Sequence, residues 1–271
     1  MRILISHHTT FAFAPPARAL AQNLRLTPRS FDSQYVLRWR VSVDVDGGLR
    51  RSEDSLGNVV HAFTYPGHIE RFAVTAAGEV ETTDAVGVVR GAVETLPSPM
   101  FLRASRLAQA DGTLPDFAAD AVGATADRLE RLHRLTAAVH AAMAFAPSDA
   151  EKRVAAAEAF AARRGDAADF VHIFIACARW LDIPARFVSG YVAADPPSQG
   201  LSSWAEAEAP GLGWVAFDPL HKVCPDARYV RVAIGFDSLG AAPFRTGQST
   251  GLGPHVASEV RVQQASGQAQ N

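Results

Sequence analysis

The chain has few cysteines, no membrane-length apolar run and no surplus of basic charge, and each shortage narrows what it can be. Two cysteines, Cys177 and Cys224, in 271 residues cannot build a disulfide framework or a cysteine-based zinc site. Free thiols in a reducing compartment are the expectation, and with them a cytoplasmic protein. The opening residues, Met-Arg-Ile-Leu-Ile-Ser-His-His, contain no apolar core of the signal-peptide kind. The most apolar segment, 170–188, carries His172, Arg179, Asp182 and Arg186, which fits a buried helix followed by a strand and excludes a bilayer span. With 26 basic and 28 acidic residues the net charge is −2, so neither nucleic acid nor an anionic membrane is an expected partner. Metal-ligand spacing is also lacking. His7 and His8 are consecutive on a strand and face opposite ways, His133 and His140 lie two helical turns apart, and no His-Glu-x-x-His or Asp-rich loop occurs. No metal and no cofactor are expected.

What is present is a folding composition. Hydrophobic residues make up 48%, charged residues 20%, and mean hydropathy is +0.02, values that argue against disorder. The length suggests one or two domains and suffices for a core without covalent staples. The first 95 residues read as β-structure. Arg2 to Phe13 reads as an edge or sandwich strand. In Gln34 to Val45, Tyr35, Leu37, Trp39, Val41, Val43 and Val45 alternate with polar residues, which predicts one buried face. Turns follow at Gly47-Gly48 and at Asp54 to Asn58, then strands at Val59 to Tyr65 and around Phe72, Val74 and Ala76. Short strands with regular turn signals suggest a small antiparallel sandwich.

Beyond Leu96-Pro97-Ser98-Pro99, read as a linker, helical spacing takes over. In Ala126 to Phe145, Leu129, Leu132, Leu135, Val139 and Met143 recur at intervals of three and four. Ser148 or Asp149 would cap a following Ala-rich helix that runs to Arg163 and Arg164 and stops at Gly165. Ala167 to Leu181 predicts a central apolar helix with Asp166 at its N-cap and Asp169 three residues on. Strands are expected at Ala185 to Val192, Ser203 to Ala209 and Trp214 to Asp218, the last two joined through Pro210-Gly211-Leu212-Gly213. The tail from Ala265 to Asn271 is polar and expected to fray.

Several of these segments resemble bacterial transglutaminase-like proteins: Arg164 to His172, Ile183 to Tyr191, Trp204-Ala205-Glu206, Gly211 to Pro219, and Arg228 to Gly235. Leu24 to Arg29 and Asp54 to Asn58 resemble the β domain that precedes the core in that family. The resemblance extends roughly to residue 245. It implies an α+β fold, a small N-terminal β-sandwich (residues 1–95) followed by a papain-like core (96–245), with a C-terminal strand and tail over 246–271. It also implies a Cys-His-Asp site: a thiol at the start of the central helix, where the helix dipole lowers its pKa, a histidine on a neighbouring strand and an aspartate that orients it.

The sequence departs from that pattern at two positions. Where the family reads Gly-x-Cys-x-Asp-Phe-x-His, this chain has Ala167 at the cysteine position. Where it reads His-Ala-Trp, this chain has Ser202-Ser203-Trp204, with Ser202 at the histidine position. Only Asp218 of the triad remains. A methyl group is no nucleophile and a serine hydroxyl is a poor base at pH 7, so the resemblance implies a superfamily member without catalysis. It would act as a binding or regulatory module, with a peptide or amide ligand or a protein such as an active relative as partner. Asp166, Asp169, Ser203, Trp204 and His221 are the further groove candidates. Two rival readings stay open: a displaced thiol nucleophile at Cys177 or Cys224, each of which also reads as an ordinary small apolar residue, and a serine hydrolase using Ser202 or Ser203 with His221 and Asp218. His172 reads as a core histidine with a hydrogen-bond partner, and Trp204 equally as groove wall or core aromatic.

Overall fold

The computed structural model describes residues 1–147, 153–193, 201–248 and 254–265, apart from the side chains of 247 and 248. Its strands are β1 (Arg2–Ala17), β2 (Leu20–Thr27), β3 (Gln34–Val43), β4 (Gly48–Glu53), β5 (Val59–Tyr65), β6 (Ile69–Thr82), β7 (Val88–Val89), β8 (Ala144–Phe145), β9 (Arg164–Gly165), β10 (Ala185–Val192), β11 (Ser202–Ala209), β12 (Gly213–Phe217), β13 (Tyr229–Gly235), β14 (Phe244–Gln248) and β15 (His255–Gln264). The helices are α1 (Leu114–Val122), α2 (Arg128–Ala142), α3 (Ala156–Ala162) and α4 (Ala167–Trp180).

Two four-stranded antiparallel sheets, ordered β15-β1-β6-β3 and β14-β2-β5-β4, form the N-terminal sandwich around Phe11, Phe63 and Phe72. The chain's last described strand lies beside its first: β15 pairs with β1 from Ile3 opposite Gln264 to Ala12 opposite His255. β1 is therefore an interior strand and not an edge. The predicted face of β3 also needs correction. Tyr35 and Leu37 are exposed, at 62% and 37%, while Gln34 is buried and Trp39, Val41 and Val43 pack inward. The ladder with β6 shifts between Val36 and Arg38, leaving Leu37 as the extra residue. A bulge of this kind swaps the two faces, so Gln34 and Val36 precede it on the inner side and Trp39 follows it.

The second unit is an α+β core. Its sheet runs β13-β10-β11-β12-β7. Ala205, Ala207 and Ala209 of β11, with Val215 and Phe217 of β12, face α4, and α1, α2 and α3 complete that layer. The alternate residues Val188, Trp204, Trp214, Ala216 and Ile234 pack on the other face with Leu56 and Phe101. α4 is buried along almost its whole length, since the other helices cover one side of it and the core sheet the other. In α2, Leu132, Leu135 and Val139 form the buried stripe, and Asp127 caps the helix by accepting from the Glu130 amide. α3 begins at Ala156, with Ala155 at its N-cap position; Ser148 and Asp149, the expected caps, lie outside the described residues, as do 266–271 of the tail. α3 ends at Ala162 on Arg163 in the left-handed region, φ 54°, so Gly165 is not the helix stop. Gly165 is needed for close approach instead: a Cβ there would come within 2.5 Å of Asp169 Oδ2.

Two amide side chains bind the sandwich to the edge strand β13 of the core sheet. Gln34 donates to the Arg231 carbonyl at 2.9 Å and accepts from the Arg231 amide at 2.7 Å. Asn58 does the same to Ile234, at 2.9 and 2.8 Å. Each imitates a neighbouring strand and satisfies backbone groups that an edge strand leaves open. Asn58 is held by Asp54, which also receives Arg25 at 2.9 Å. The turn Asp54 to Asn58 is thus an anchor between the two units.

Candidate functional site

Chain reversal brings Ala167, Ser202 and Asp218, the positions that the resemblance sets against the family's triad, to one end of the core sheet. α4 runs about 20 Å from Ala167, a short turn follows, and β10 returns along it. The Arg179 side chain, near the end of α4, donates to the carbonyl of Ala185 at the start of β10 at 2.9 Å. The start of α4 therefore lies toward the end of β10. There Gly190 pairs with Ser202, the first residue of β11. Asp218 stands one residue beyond Phe217, the last β12 residue paired with β11.

The start of α4 is a closed structural device. Asp166 Oδ1 accepts from the amides of Ala168 and Asp169 at 2.9 and 3.2 Å, and Asp169 Oδ2 accepts from the Asp166 amide at 2.9 Å. This reciprocal capping box uses amides that a helix end otherwise leaves open. Arg153 forms an ion pair with the other Asp166 oxygen. Burial first, and the Asp166 charge second, raise the Asp169 carboxyl above its ordinary value. Ala167, the first helical residue, presents a methyl group at this point.

Asp218 is buried and fully engaged. Its Oδ1 accepts from the amides of Leu220 and His221 at 3.0 and 3.1 Å; its Oδ2 accepts from the Tyr229 hydroxyl at 2.9 Å and meets His221 Nδ1 at 2.8 Å. The hydrogen bond to Asp218 raises the His221 pKa against the opposing effect of partial burial, and burial followed by the Asp218 charge raises that of Tyr229. The structure thus pairs Asp218 with His221. Among the described residues, no side-chain hydrogen bond joins Ser202 or Ser203 to either. Sequence reasoning assigned no role to Tyr229 or Arg153; Tyr229 sits in a motif segment, whereas nothing in the local pattern marks Arg153.

The other candidates fall into place around this end. Trp204 is 2% exposed and stands edge-on to Tyr229, ring centroids 5.3 Å apart. It packs where Gly190 leaves room, since a Cβ at that glycine would lie 2.4 Å from the indole. Trp204 is a core aromatic that also reaches a small crevice of about 50 Å³ between sandwich and core, shared with Gln34, Glu206, Tyr229 and Arg231. Cys177 is fully buried on α4, and burial pushes its thiol up to about 12. Cys224 is half-buried and its thiol is likewise raised by burial. His172 is wholly buried; its Nε2 accepts from the Ser238 amide at 3.1 Å, and its Nδ1 has no partner among the described residues. Burial, the largest influence, lowers its pKa to about 3, so the ring is neutral. No three His, Cys, Asp or Glu side chains among the described residues group as a metal site.

Behind Trp204 lies a buried charge network. Glu206 accepts from Arg186 Nε at 2.7 Å and from Arg231 Nε at 2.7 Å, and Arg186 also makes a bidentate contact with Glu94 at 2.6 and 2.8 Å. The Arg186 guanidinium stacks 3.8 Å over the Trp214 ring. Burial pushes the Glu206 carboxyl up, but the Arg231 and Arg186 charges outweigh it and hold the group at about 2.

Comparison with known proteins agrees with this architecture. The bacterial transglutaminase-like N-terminal region matches residues 3–81, and the transglutaminase-like superfamily matches residues 115–219. An uncharacterized protein of Mycobacterium leprae is 28% identical over 260 residues, covering 90% of this chain and 92% of its own. One of Mycobacterium tuberculosis is 24% identical over 274 residues, covering 90% and 86%. A Cytophaga hutchinsonii protein solved as a "Putative Cysteine Protease" superposes with a TM-score of 0.77 at 20% identity, over 98% of this chain and 92% of that one, a likeness of fold. No helix among the described residues is long and apolar enough to cross a membrane. The two matched regions follow one another on this fold as a bacterial transglutaminase-like N-terminal region and a core of the transglutaminase-like superfamily.

Proposed function

We propose that this chain is a catalytically inactive transglutaminase-like protein that works by binding, as a regulatory module or as the partner of an active relative, in a cytoplasmic setting where both thiols stay unpaired. The observation that carries the reading is the start of α4. A methyl group occupies the position where the family pattern places the nucleophile, and the adjoining amides are taken by Asp166 and not left for a developing oxyanion. Acyl transfer of the superfamily type needs a thiolate there and a base beside it. Ser202 supplies no base, and losing both groups costs many orders of magnitude in rate. A displaced thiol is disfavoured physically: the Cys177 sulfur is buried within the helix layer with its proton held to about pH 12.

One observation favours a second reading. Asp218 and His221 form a contacting pair, as in a hydrolase whose aspartate orients its base. Among the described residues no hydroxyl is in hydrogen-bond contact with the imidazole. Covalent probes separate the readings. The folded protein is expected to give no adduct with a fluorophosphonate, and with iodoacetamide only slow modification at Cys224, with Cys177 reacting after denaturation. A fluorophosphonate adduct on Ser202 or Ser203 that vanishes in His221→Ala would instead establish a serine hydrolase.

A further inference from the structure

The strand β15 is the outer strand of its sheet, and among the described residues nothing pairs with its free side. It is ten residues long, contains no proline, glycine or lysine, and keeps an unbroken register with β1. Proline, lysine and bulges are devices that blunt an open edge and keep it from pairing with another chain. Elsewhere this fold protects its edges. Gln34 and Asn58 cap β13. The bulge at Leu37 interrupts β3, and the Ser30 hydroxyl takes the Val36 amide. β15 is left unbroken and open.

One bond fixes which way its backbone points. The Ala265 amide donates to the Arg2 carbonyl at 2.8 Å, one step beyond the Ile3–Gln264 pair. Backbone groups in an antiparallel ladder turn alternately to either side. Glu259, Arg261 and Gln263 therefore turn theirs toward β1, while Val256, Ser258, Val260, Val262 and Gln264 turn theirs to the open side. The side chains alternate between the faces as well. Val260 and Val262 are buried against Tyr191 and Val230 of the core. Glu259 and Arg261 stand on the outer face, joined in an exposed ion pair.

This pattern matches a second β15 laid antiparallel across a two-fold axis. With the axis at Val260, the outward backbone groups of the two strands meet each other. Glu259 then faces Arg261 of the second copy, and Arg261 faces its Glu259, in the pairs where side chains come closest. An axis at Glu259 or at Arg261 sets like charges directly opposite, which destabilises a ladder. The Val260 register also uses nearly the whole strand, from Val256 to Gln264. Two-fold pairing of one patch with itself closes at two copies.

We propose that this chain forms a dimer through β15, which joins two four-stranded sheets into one continuous sheet with Val260 on the axis. The edge belongs to the sandwich and not to the start of α4, so pairing there is independent of whether the core catalyses.

Sedimentation of the full chain from about 1 to 300 µM reads the association, and amide exchange in ¹H–¹⁵N spectra locates it. The expected result is a monomer–dimer equilibrium within that range. Glu259→Arg and Arg261→Glu are exposed substitutions that each set two like pairs at the joint. Each should weaken association about tenfold or more, and the double charge reversal should restore it. Ser258→Pro removes an outward donor, spares the ladder with β1 and should leave a monomer; protection of the Glu259 and Arg261 amides shows that the strand stays docked. The Ser258, Val260 and Val262 amides should exchange fast in the monomeric Glu259→Arg variant and be protected in the parent. A monomer at every concentration overturns the proposal. So does a dimer indifferent to Ser258→Pro or to both single reversals. Protection of the Val260 amide in the monomeric variant also overturns it, since the chain would then cover this edge itself.

Discussion

Asp218 uses its hydrogen-bonding capacity on its own loop and on Tyr229. A buried carboxylate with four donors is a strong local organiser, and the side chain it organises is His221. The sign of the linkage follows. The His221 pKa is raised by its bond to Asp218, so the stabilisation is fully present below about 6.5 and fades as pH rises through the folded value. His221 is largely exposed, which keeps the energy small. A histidine titration by NMR should show His221 above the ordinary range in the parent and lower in Asp218→Asn; equal values in the two proteins would mean that Asp218 does not orient the ring. The His221 contact entered the sequence reading only through the rival serine-hydrolase site, since a three-residue spacing to Asp218 permits the pairing without requiring it. The Tyr229 contact did not enter it, because it joins residues on different strands with no local pattern to announce it.

At the scale of elements, α4 depends on its first turn. Asp166→Ala removes the oxygen that accepts from two amides, and the Arg153 partner, from a helix that fills the centre of the core. The expected cost is about 1–2 kcal/mol, read from urea denaturation. A change below a few tenths would show that packing alone holds the helix start. α4 and the strands β10 to β12 were readable nearly to the residue, since the N-cap pair Asp166 and Asp169 and the turn at 210–213 punctuate them. β3 was misread on one face because a single extra residue, Leu37, reverses the alternation, and a bulge has no signature in hydrophobic periodicity. β4 escaped notice for a different reason: it is an outer strand exposed at every position, so no burial pattern is written into it. The end of α3 was misplaced because Arg163, and not the nearby glycine, adopts the left-handed conformation.

At the scale of the whole molecule, the sandwich and the core are joined by contacts that span the chain. Gln34 and Asn58 satisfy the edge of β13, and β15 returns from the C-terminal side to pair with β1. None of this has a short-range signal, so the family segments at 24–29 and 54–58 were recognisable while their task as anchors was not. Asn58→Ala strips the Ile234 amide and carbonyl of their partners in a buried place. It should cost about 2–4 kcal/mol and shift the midpoint of chemical denaturation with little change in the slope; a neutral effect would refute the anchoring role.

The central claim concerns the site at the end of the core sheet, where Ala167 and Ser202 stand at the nucleophile and base positions of the family pattern. Its most direct test is amide turnover by the unmodified protein on a panel of peptides and amine acceptors, with Ala167→Cys/Ser202→His assayed alongside. The account predicts no turnover by the unmodified chain above that of a mock preparation, and activity in the double variant if the groove still accepts an amide. Turnover by the unmodified chain that disappears in His221→Ala, or after thiol modification, would contradict it and place a working nucleophile in a fold that otherwise carries none at the start of α4.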